Sequence, residues 1–180
     1  MPTNQTQQSS QYSDWPMAPA VGPMALLPDV LAGKVVDFYS LPFIFTGSTV
    51  IPASGTESDQ QTIDAQQHFC ILAISGYASE EASITTAVPT PPLEVLIEDD
   101  GSGRKLSQAP CQWNAYVGTA QLPLLLPVPK LIAAGSTISI TVSNDDSSAG
   151  YNAWIVLHGF KIFAMNRDGT PSGALPAVPY

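Results

Sequence analysis

The sequence predicts an all-β protein, an antiparallel jelly-roll-like β-sandwich of about eight strands with extended N- and C-terminal arms. Short runs rich in β-branched and aromatic residues recur along the chain, and turn-forming residues separate them. No window shows sustained helical periodicity. Strands that follow one another without intervening helices are typical of antiparallel sandwiches and barrels.

The chain divides into an arm, a domain and a tail. Residues 1–33 form an extended Pro/Gln/Ser-rich N-terminal arm, residues 34–165 the β-sandwich domain, and residues 166–180 an extended Pro/Gly-rich C-terminal tail. Dense prolines in the arm exclude a sustained helix or a central strand. The arm packs either on its own domain or on a neighbouring subunit, and its predicted partner-binding residues are Trp15, Met17, Met24, Leu26 and Leu27.

The first strands are predicted from three segments. Residues 34–47 are β-branched and aromatic, and we expect Pro42 to break this strand. Residues 68–78 are apolar at odd and even positions, which predicts a strand buried on both faces. Residues 92–100 alternate, so one face is apolar and the other carries glutamates. The glycines at 101 and 103 then favour a turn.

The later segments continue the pattern. Residues 114–132 are apolar but hold three prolines, which favours an edge strand or an extended connector. Residues 137–145 alternate cleanly, and residues 152–163 form an apolar last strand that should be central and covered on both sides. Residues 79–87 can hold a turn of helix at most.

Charge and composition narrow the function classes. The net charge is −9 with only six Lys and Arg, scattered along the chain, which argues against a nucleic-acid partner. Only 12% of residues are charged, about half the usual share, which indicates a surface covered by neighbours or kept in solution by neutral polar side chains. No signal-peptide pattern and no apolar run of about 20 residues is present, so we expect a soluble protein with no membrane partner.

Two cysteines, far apart in the chain, form no framework or metal motif. Cys70 lies in an apolar run and is interpreted as a buried hydrophobe, whereas Cys111 follows a proline and is expected to be more exposed. A disulfide between them stays open at this stage.

The stretch SNDDSSAGYNAWIVLHGFKIF (143–163) raises the question of a catalytic or metal site. Asp145 and Asp146 are interpreted as turn residues, and His158 as a packing or interface residue on an apolar stripe. His68 is interpreted in the same way. Ligand spacings for a metal, nucleophile motifs and phosphate-binding loops are absent from the sequence. We therefore predict no catalytic residue, no metal, no cofactor and no enzymatic activity.

Two tryptophans are assigned different roles. Trp154 is predicted to lie in the core, while the position of Trp113 is left open. If Trp113 or Tyr116 is exposed on a sandwich face, a carbohydrate- or receptor-binding module is an alternative function.

Three segments carry a resemblance to a known group. IEDDGSGRKLS (97–107), VGTAQLPLLLPVPKLIAAGSTISITVSND (117–145) and WIVLHGFKIF (154–163) resemble segments of β-sandwich virion structural proteins of tailed bacteriophages, of the capsid decoration (cement) or minor capsid type. The resemblance implies a homotrimer that binds the major capsid protein on the outer capsid surface and is made in the cytoplasm of a host bacterium. A neck, tail or fibre-attachment protein is the alternative within this group.

Overall fold

The computed structural model describes residues 34–166 and residue 170. The N-terminal arm and nearly all of the C-terminal tail lie outside the described residues. The described part is almost wholly β, as predicted. Its elements are β1 (Lys34–Phe45), β2 (Thr56–Thr62), β3 (Gln67–Glu80), β4 (Leu93–Asp99), β5 (Arg104–Lys105), β6 (Cys111–Gln112), α1 (Trp113–Tyr116), β7 (Leu124–Ile132), β8 (Thr137–Asn144) and β9 (Tyr151–Asn166).

The strands form two antiparallel sheets. The four-stranded sheet has the order β1-β9-β3-β7. The five-stranded sheet has the order β2-β8-β4-β5, with β6 also paired to β4. From β1 to β4, and again from β7 to β9, successive strands alternate between the sheets. This alternation is that of a double-sheet jelly roll and confirms the predicted fold class.

The core lies between the sheets and consists of aliphatic and aromatic side chains from the inward positions of each strand. In β4 the alternation is complete, since Leu93, Val95 and Ile97 are fully buried and the residues between them are half-buried. The other fully buried large side chains include Phe43, Phe45, Phe69, Ile71, Ile74, Ile132, Ile138, Ile140 and Ile155.

Strand β2 was missed by the sequence analysis because every residue in TESDQQT is polar. It is an edge strand that pairs only with β8, and Glu57, Asp59 and Gln61 stand on the same face as the core residues of β8. Charged residues on the inward face of an edge strand discourage pairing with other chains. Edge strands therefore tolerate a composition that a central strand does not.

Two further details differ from expectation. Pro42 does not break β1, which pairs continuously with β9 on either side of it. An edge strand makes backbone hydrogen bonds to a neighbouring strand on one side only, so it can accommodate a proline, which has no N–H to donate. Residues 113–116 form a short helix inside the predicted connector, and the following segment is the predicted edge strand, β7.

Candidate functional site

The outward face of the five-stranded sheet is polar. Hydroxyl groups pair across β2 and β8, with Ser58 Oγ to Thr141 Oγ1 at 2.9 Å and Thr62 Oγ1 to Thr137 Oγ1 at 3.0 Å. On β4, Glu98 forms an ion pair with Lys105 Nζ at 3.1 Å. We call this surface the hydroxyl face. It has the composition of an antiparallel sheet with one solvated side.

The outward face of the four-stranded sheet is apolar, and we call it the apolar outer face. Its outward positions in residues 36–44 of β1, 154–162 of β9 and 68–77 of β3 hold no Asp, Glu, Lys or Arg. Read across β1, β9 and β3, its rows are Val36–Ile162–His68, Phe38–Phe160–Cys70, Ser40–His158–Ala73, Pro42–Val156–Ser75 and Ile44–Trp154–Tyr77.

Burial on this face is greatest over the two central strands. Cys70 and Ile162 are fully buried and Phe160 is 7% exposed. On the edge strands, Phe38 is 77% exposed and Leu125 is 69% exposed. Large apolar side chains at the rim of an apolar face mark a surface suited to protein contacts.

His158 lies in the middle of the apolar outer face and holds three strands together through two serines. Its Nε2 is 2.7 Å from Ser75 Oγ on β3, and its Nδ1 is 3.0 Å from Ser40 Oγ on β1. Ser75 is 5% exposed. The partners shown for the ring are hydroxyls, not carboxylates. These two contacts are those of a packing residue, and they do not form a Ser–His–Asp arrangement.

Gly159, beside His158, lets two central strands approach closely. A Cβ at this position would clash with the carbonyl oxygen of Cys70 on β3. Opposite Gly159 the register of β3 shifts at Leu72, so the irregularity lies in β3 and not in β9. Beyond the glycine, Lys161 places Nζ 3.5 Å from the ring centroid of Tyr39.

The structure settles the position of Trp113, which the sequence left open, and corrects that of Trp154. Trp113 is 5% exposed and belongs to the core. Trp154, predicted in the core, faces outward beside Tyr77, with ring centroids 5.4 Å apart at 57°. Burial raises the pKa of Tyr116 to about 12. Because Trp113 is buried, its ring cannot serve as a platform for a sugar.

The acidic loop before β9 is structural, as predicted. Asn144 donates through Nδ2 to the carbonyls of Pro52 and Ala149 at 3.0 and 2.8 Å. The Asp146 carboxylate accepts from Ser148 N at 2.7 Å and from Ser148 Oγ at 2.6 Å, and these bonds lower the pKa of Asp146. These contacts fix the connection between β8 and β9.

The predictions about metals and thiols have different outcomes. Within residues 34–166 and 170, no group of three His, Cys, Asp or Glu side chains is placed to hold a metal ion. Both cysteines are free thiols, so the disulfide left open above is not formed. Cys70 is buried, as predicted, and burial raises the pKa of its thiol to about 12. Cys111 is half-buried.

A concavity lies where the β4–β5 turn meets the β7–β8 loop. It is an open pocket of about 270 Å³ lined by Asp99, Arg104, Lys130 and the small residues of both loops. The Asp99 carboxylate already accepts hydrogen bonds from Ser102 Oγ at 2.6 Å and from Ser136 Oγ. These bonds tie the two loops together.

The predicted partner-binding residues of the arm, residues 15–27, lie outside the described residues. The structure instead identifies Phe38, Ile44 and Leu125 as exposed apolar residues that the sequence analysis did not single out. Exposure of these residues follows from their place on the edge strands β1 and β7, which only the sheet order reveals.

No family model and no curated protein matches the chain. Among solved structures, it is similar to the VP2 subviral particle of infectious bursal disease virus, with 15% identity and a TM-score of 0.32 over 79% of this chain and 35% of that one. It is also similar to exo-β-1,3-galactanase from Phanerochaete chrysosporium, with 16% identity and a TM-score of 0.25 over 70% of this chain and 28% of that one. The chain spans about a third of the length of these structures, and likenesses at these scores carry no argument about function.

In the part of the chain that the structure describes, none of the helices has the length and apolar character required to cross a membrane.

Proposed function

We propose that the chain is a non-enzymatic virion structural protein, a capsid decoration (cement) protein that binds the outer capsid surface and stabilises the head through protein–protein contacts. The observation that carries the proposal is the difference between the two outer surfaces of the sandwich. The hydroxyl face is suited to water, and the apolar outer face is suited to contact with protein.

The exposed rim of the apolar outer face supplies the contact area. Burying a side chain such as Phe38 or Ile44 in an interface contributes about 1.5–3 kcal/mol. A few such contacts make a modest interface, and repetition over many copies joined by arms gives high avidity. Stabilisation of a large shell therefore needs no chemistry at any site.

The proposed partners are the major capsid protein and further copies of this chain in a homotrimer, with no nucleic acid, no membrane and no cofactor. Trp15 and Met17 in the arm are proposed anchors for a neighbour. The net charge of −9 supports a place on the outer capsid surface, because an acidic protein is repelled by packaged nucleic acid. Synthesis takes place in the cytoplasm of the host bacterium.

Two other roles make different predictions. A neck, tail or fibre-attachment protein shares the need for an apolar contact face but is present in about a dozen copies or fewer per particle, against a few hundred for decoration. A carbohydrate-binding module requires an exposed aromatic platform, and the half-buried pair of Trp154 and Tyr77 is a candidate for one.

The proposal is tested on particles assembled with and without the protein. We expect particles without it to rupture at lower temperature or after milder osmotic shock. Phe38→Ser should weaken attachment, whereas Leu122→Ser should not, because the exposures of the two residues are 77% and 79% but Leu122 lies outside the outward rows of the four-stranded sheet.

Equal rupture of complete and deficient particles would remove the stabilising role. Loss of attachment that is the same for both serine variants would show that general surface hydrophobicity, and not the apolar outer face, holds the protein. A low copy number in an image of the particle would favour the neck or tail role.

A further inference from the structure

The pocket between the β4–β5 turn and the β7–β8 loop brings together two of the six Lys and Arg residues of an acidic chain, Arg104 and Lys130. Arg104 belongs to β5 in the five-stranded sheet, and Lys130 belongs to β7, an edge strand of the four-stranded sheet. Each sheet therefore contributes one cation to the pocket. In the part of the chain that the structure describes, Asp99 is the one acidic residue of the lining.

The strand register directs these charged side chains toward the space between the sheets. Lys130 pairs with Ile71. Arg104 pairs with Asp99, which in turn pairs with Ile138 on its other side. Side chains of directly paired residues lie on the same face of a sheet, and both Ile71 and Ile138 belong to the core. Arg104 and Lys130 therefore point inward from opposite sheets.

The charges of the lining leave one positive charge without compensation. The Asp99 carboxylate, which accepts hydrogen bonds from Ser102 and Ser136, offsets one of the two cations. Within residues 34–166 and 170, Lys130 forms no ion pair with an acidic side chain. An inward lysine on an edge strand also discourages pairing with other chains, but that role requires no second cation in the same pocket.

Hydrogen bonds hold the shape of the pocket before any ligand enters. Gly101 N donates to Ser136 Oγ at 3.1 Å, which joins the two loops. Ser136 N donates to the carbonyl of Ala133 at 3.1 Å, and Ala134 N donates to His68 Nδ1 at 2.8 Å. A site that is formed in advance loses little conformational entropy on binding. The volume of about 270 Å³ suits a small group and not a drug-sized ligand.

We propose that this pocket binds a single carboxylate group between Arg104 and Lys130. A guanidinium has five N–H donors in a fork that matches a carboxylate, and the lysine ammonium adds a second charge. One excess positive charge matches one carboxylate, whereas phosphate carries more than one negative charge at pH 7 and is repelled by Asp99. The carboxylate belongs either to a small free acid or to an acidic side chain of a partner protein.

The proposal does not depend on the decoration role, because it is tested on the isolated full-length chain. The ¹⁵N-labelled protein is titrated at pH 7 with sodium acetate, which replaces sodium chloride so that ionic strength stays constant. We expect saturable shifts of the Gly101 and Ser136 amide signals, with a dissociation constant on the order of millimolar. Phosphate, titrated in the same way, should bind more weakly than acetate.

Charge-removing variants test the two proposed contacts. Arg104→Gln and Lys130→Gln should each raise the dissociation constant of acetate about tenfold or more, because each removes a charge-assisted contact. The matched control is Lys105→Gln, which removes the same charge from the next residue along β5. Lys105 forms its ion pair with Glu98 on the hydroxyl face, so this variant should leave the dissociation constant unchanged.

A glutamate residue blocked at both ends is titrated beside acetate to identify the source of the carboxylate. Tighter binding of the blocked glutamate supports the proposal with a protein side chain as the ligand, and equal or weaker binding supports it with a small free acid. Shifts that do not saturate, tighter binding of phosphate than of acetate, or unchanged binding by Lys130→Gln would overturn the proposal. Equal weakening by Lys105→Gln would also overturn it, because general charge attraction would then explain the shifts. Should Arg104→Gln fail to fold, the comparison of Lys130→Gln with Lys105→Gln decides.

Discussion

Replacing His158 with phenylalanine should destabilise the fold by about 2–3 kcal/mol, although the new ring nearly fills the same space. The largest contribution comes from Ser75, whose hydroxyl is 2.7 Å from His158 Nε2 and whose side chain belongs to a residue only 5% exposed. A buried hydroxyl without a partner costs about 1–3 kcal/mol. Ser40 is half-buried and can turn toward water, so its lost bond adds about 0.5–1 kcal/mol.

Two companion variants separate hydrogen bonding from packing. His158→Gln keeps a donor and an acceptor and should cost no more than about 1 kcal/mol, with folding and assembly nearly normal. Ser75→Ala introduced into the His158→Phe protein removes the unpaired hydroxyl, so it should recover part of the lost stability.

Urea unfolding followed by tryptophan fluorescence measures all four proteins. If His158→Phe is as stable as the wild type, or if Ser75→Ala gives no recovery, the two hydrogen bonds do not contribute as described. A complete loss of assembly by His158→Gln at unchanged stability would instead show that His158 belongs to a functional site.

Three further predictions concern the backbone, the acidic loop and alkaline stability. Gly159→Ala should lower the free energy of unfolding by roughly 1–3 kcal/mol, because its Cβ meets the Cys70 carbonyl, and an unchanged urea midpoint would contradict this. Asp146→Ala should speed amide hydrogen exchange in the loop before β9, whereas its neighbour Asp145, with one 3.4 Å contact to a glutamine, should not when replaced by alanine. Burial raises the pKa of Cys70 from 9.0 and of Tyr116 from 10.0, each to about 12, so their neutral forms stabilise the fold fully below pH 9 and this contribution is lost as pH rises toward 12. The urea midpoint should therefore fall between pH 8 and pH 11, and Cys70→Ala should reduce that fall; an equal fall in the variant would refute the role of the thiol.

The reliable sequence signals were those that arise from burial of whole strand faces. The alternation in residues 137–145 and the apolar run in residues 68–78 correctly predicted β8 and β3. The local sequence is enough to predict strands of this kind, because side chains alternate across a strand and its apolar side chains must be buried away from water.

The errors occurred where a residue's environment depends on distant strands. Strand β2 has no apolar face. It forms because its backbone pairs with that of β8 at the edge of the sheet. Trp113 enters the core from a short helix, while Trp154 faces outward from a central strand, and nothing in the local pattern distinguishes them. Pro42 stays in β1 because that strand is at an edge.

The residues around His158 show the same contrast between features set by local sequence and features set by distant strands. The local pattern of residues 152–163 is enough to predict a strand that is apolar on both faces, with His158 on one of them. The local sequence also predicts a turn at Asp145 and Asp146. The partner-binding role of the arm residues between 15 and 27 remains a prediction.

The neighbours of His158, and the identity of the sheet whose outer face is apolar, depend on how the strands assemble. Ser40 and Ser75 are 118 and 83 residues away from His158 in the chain, and sheet order alone brings them to its two ring nitrogens. Side-chain alternation gives each strand two faces but does not say which sheet the strand joins or what lies across from it. Those contacts form when strands distant in sequence pair, so they are a property of the assembled sandwich and not of any segment.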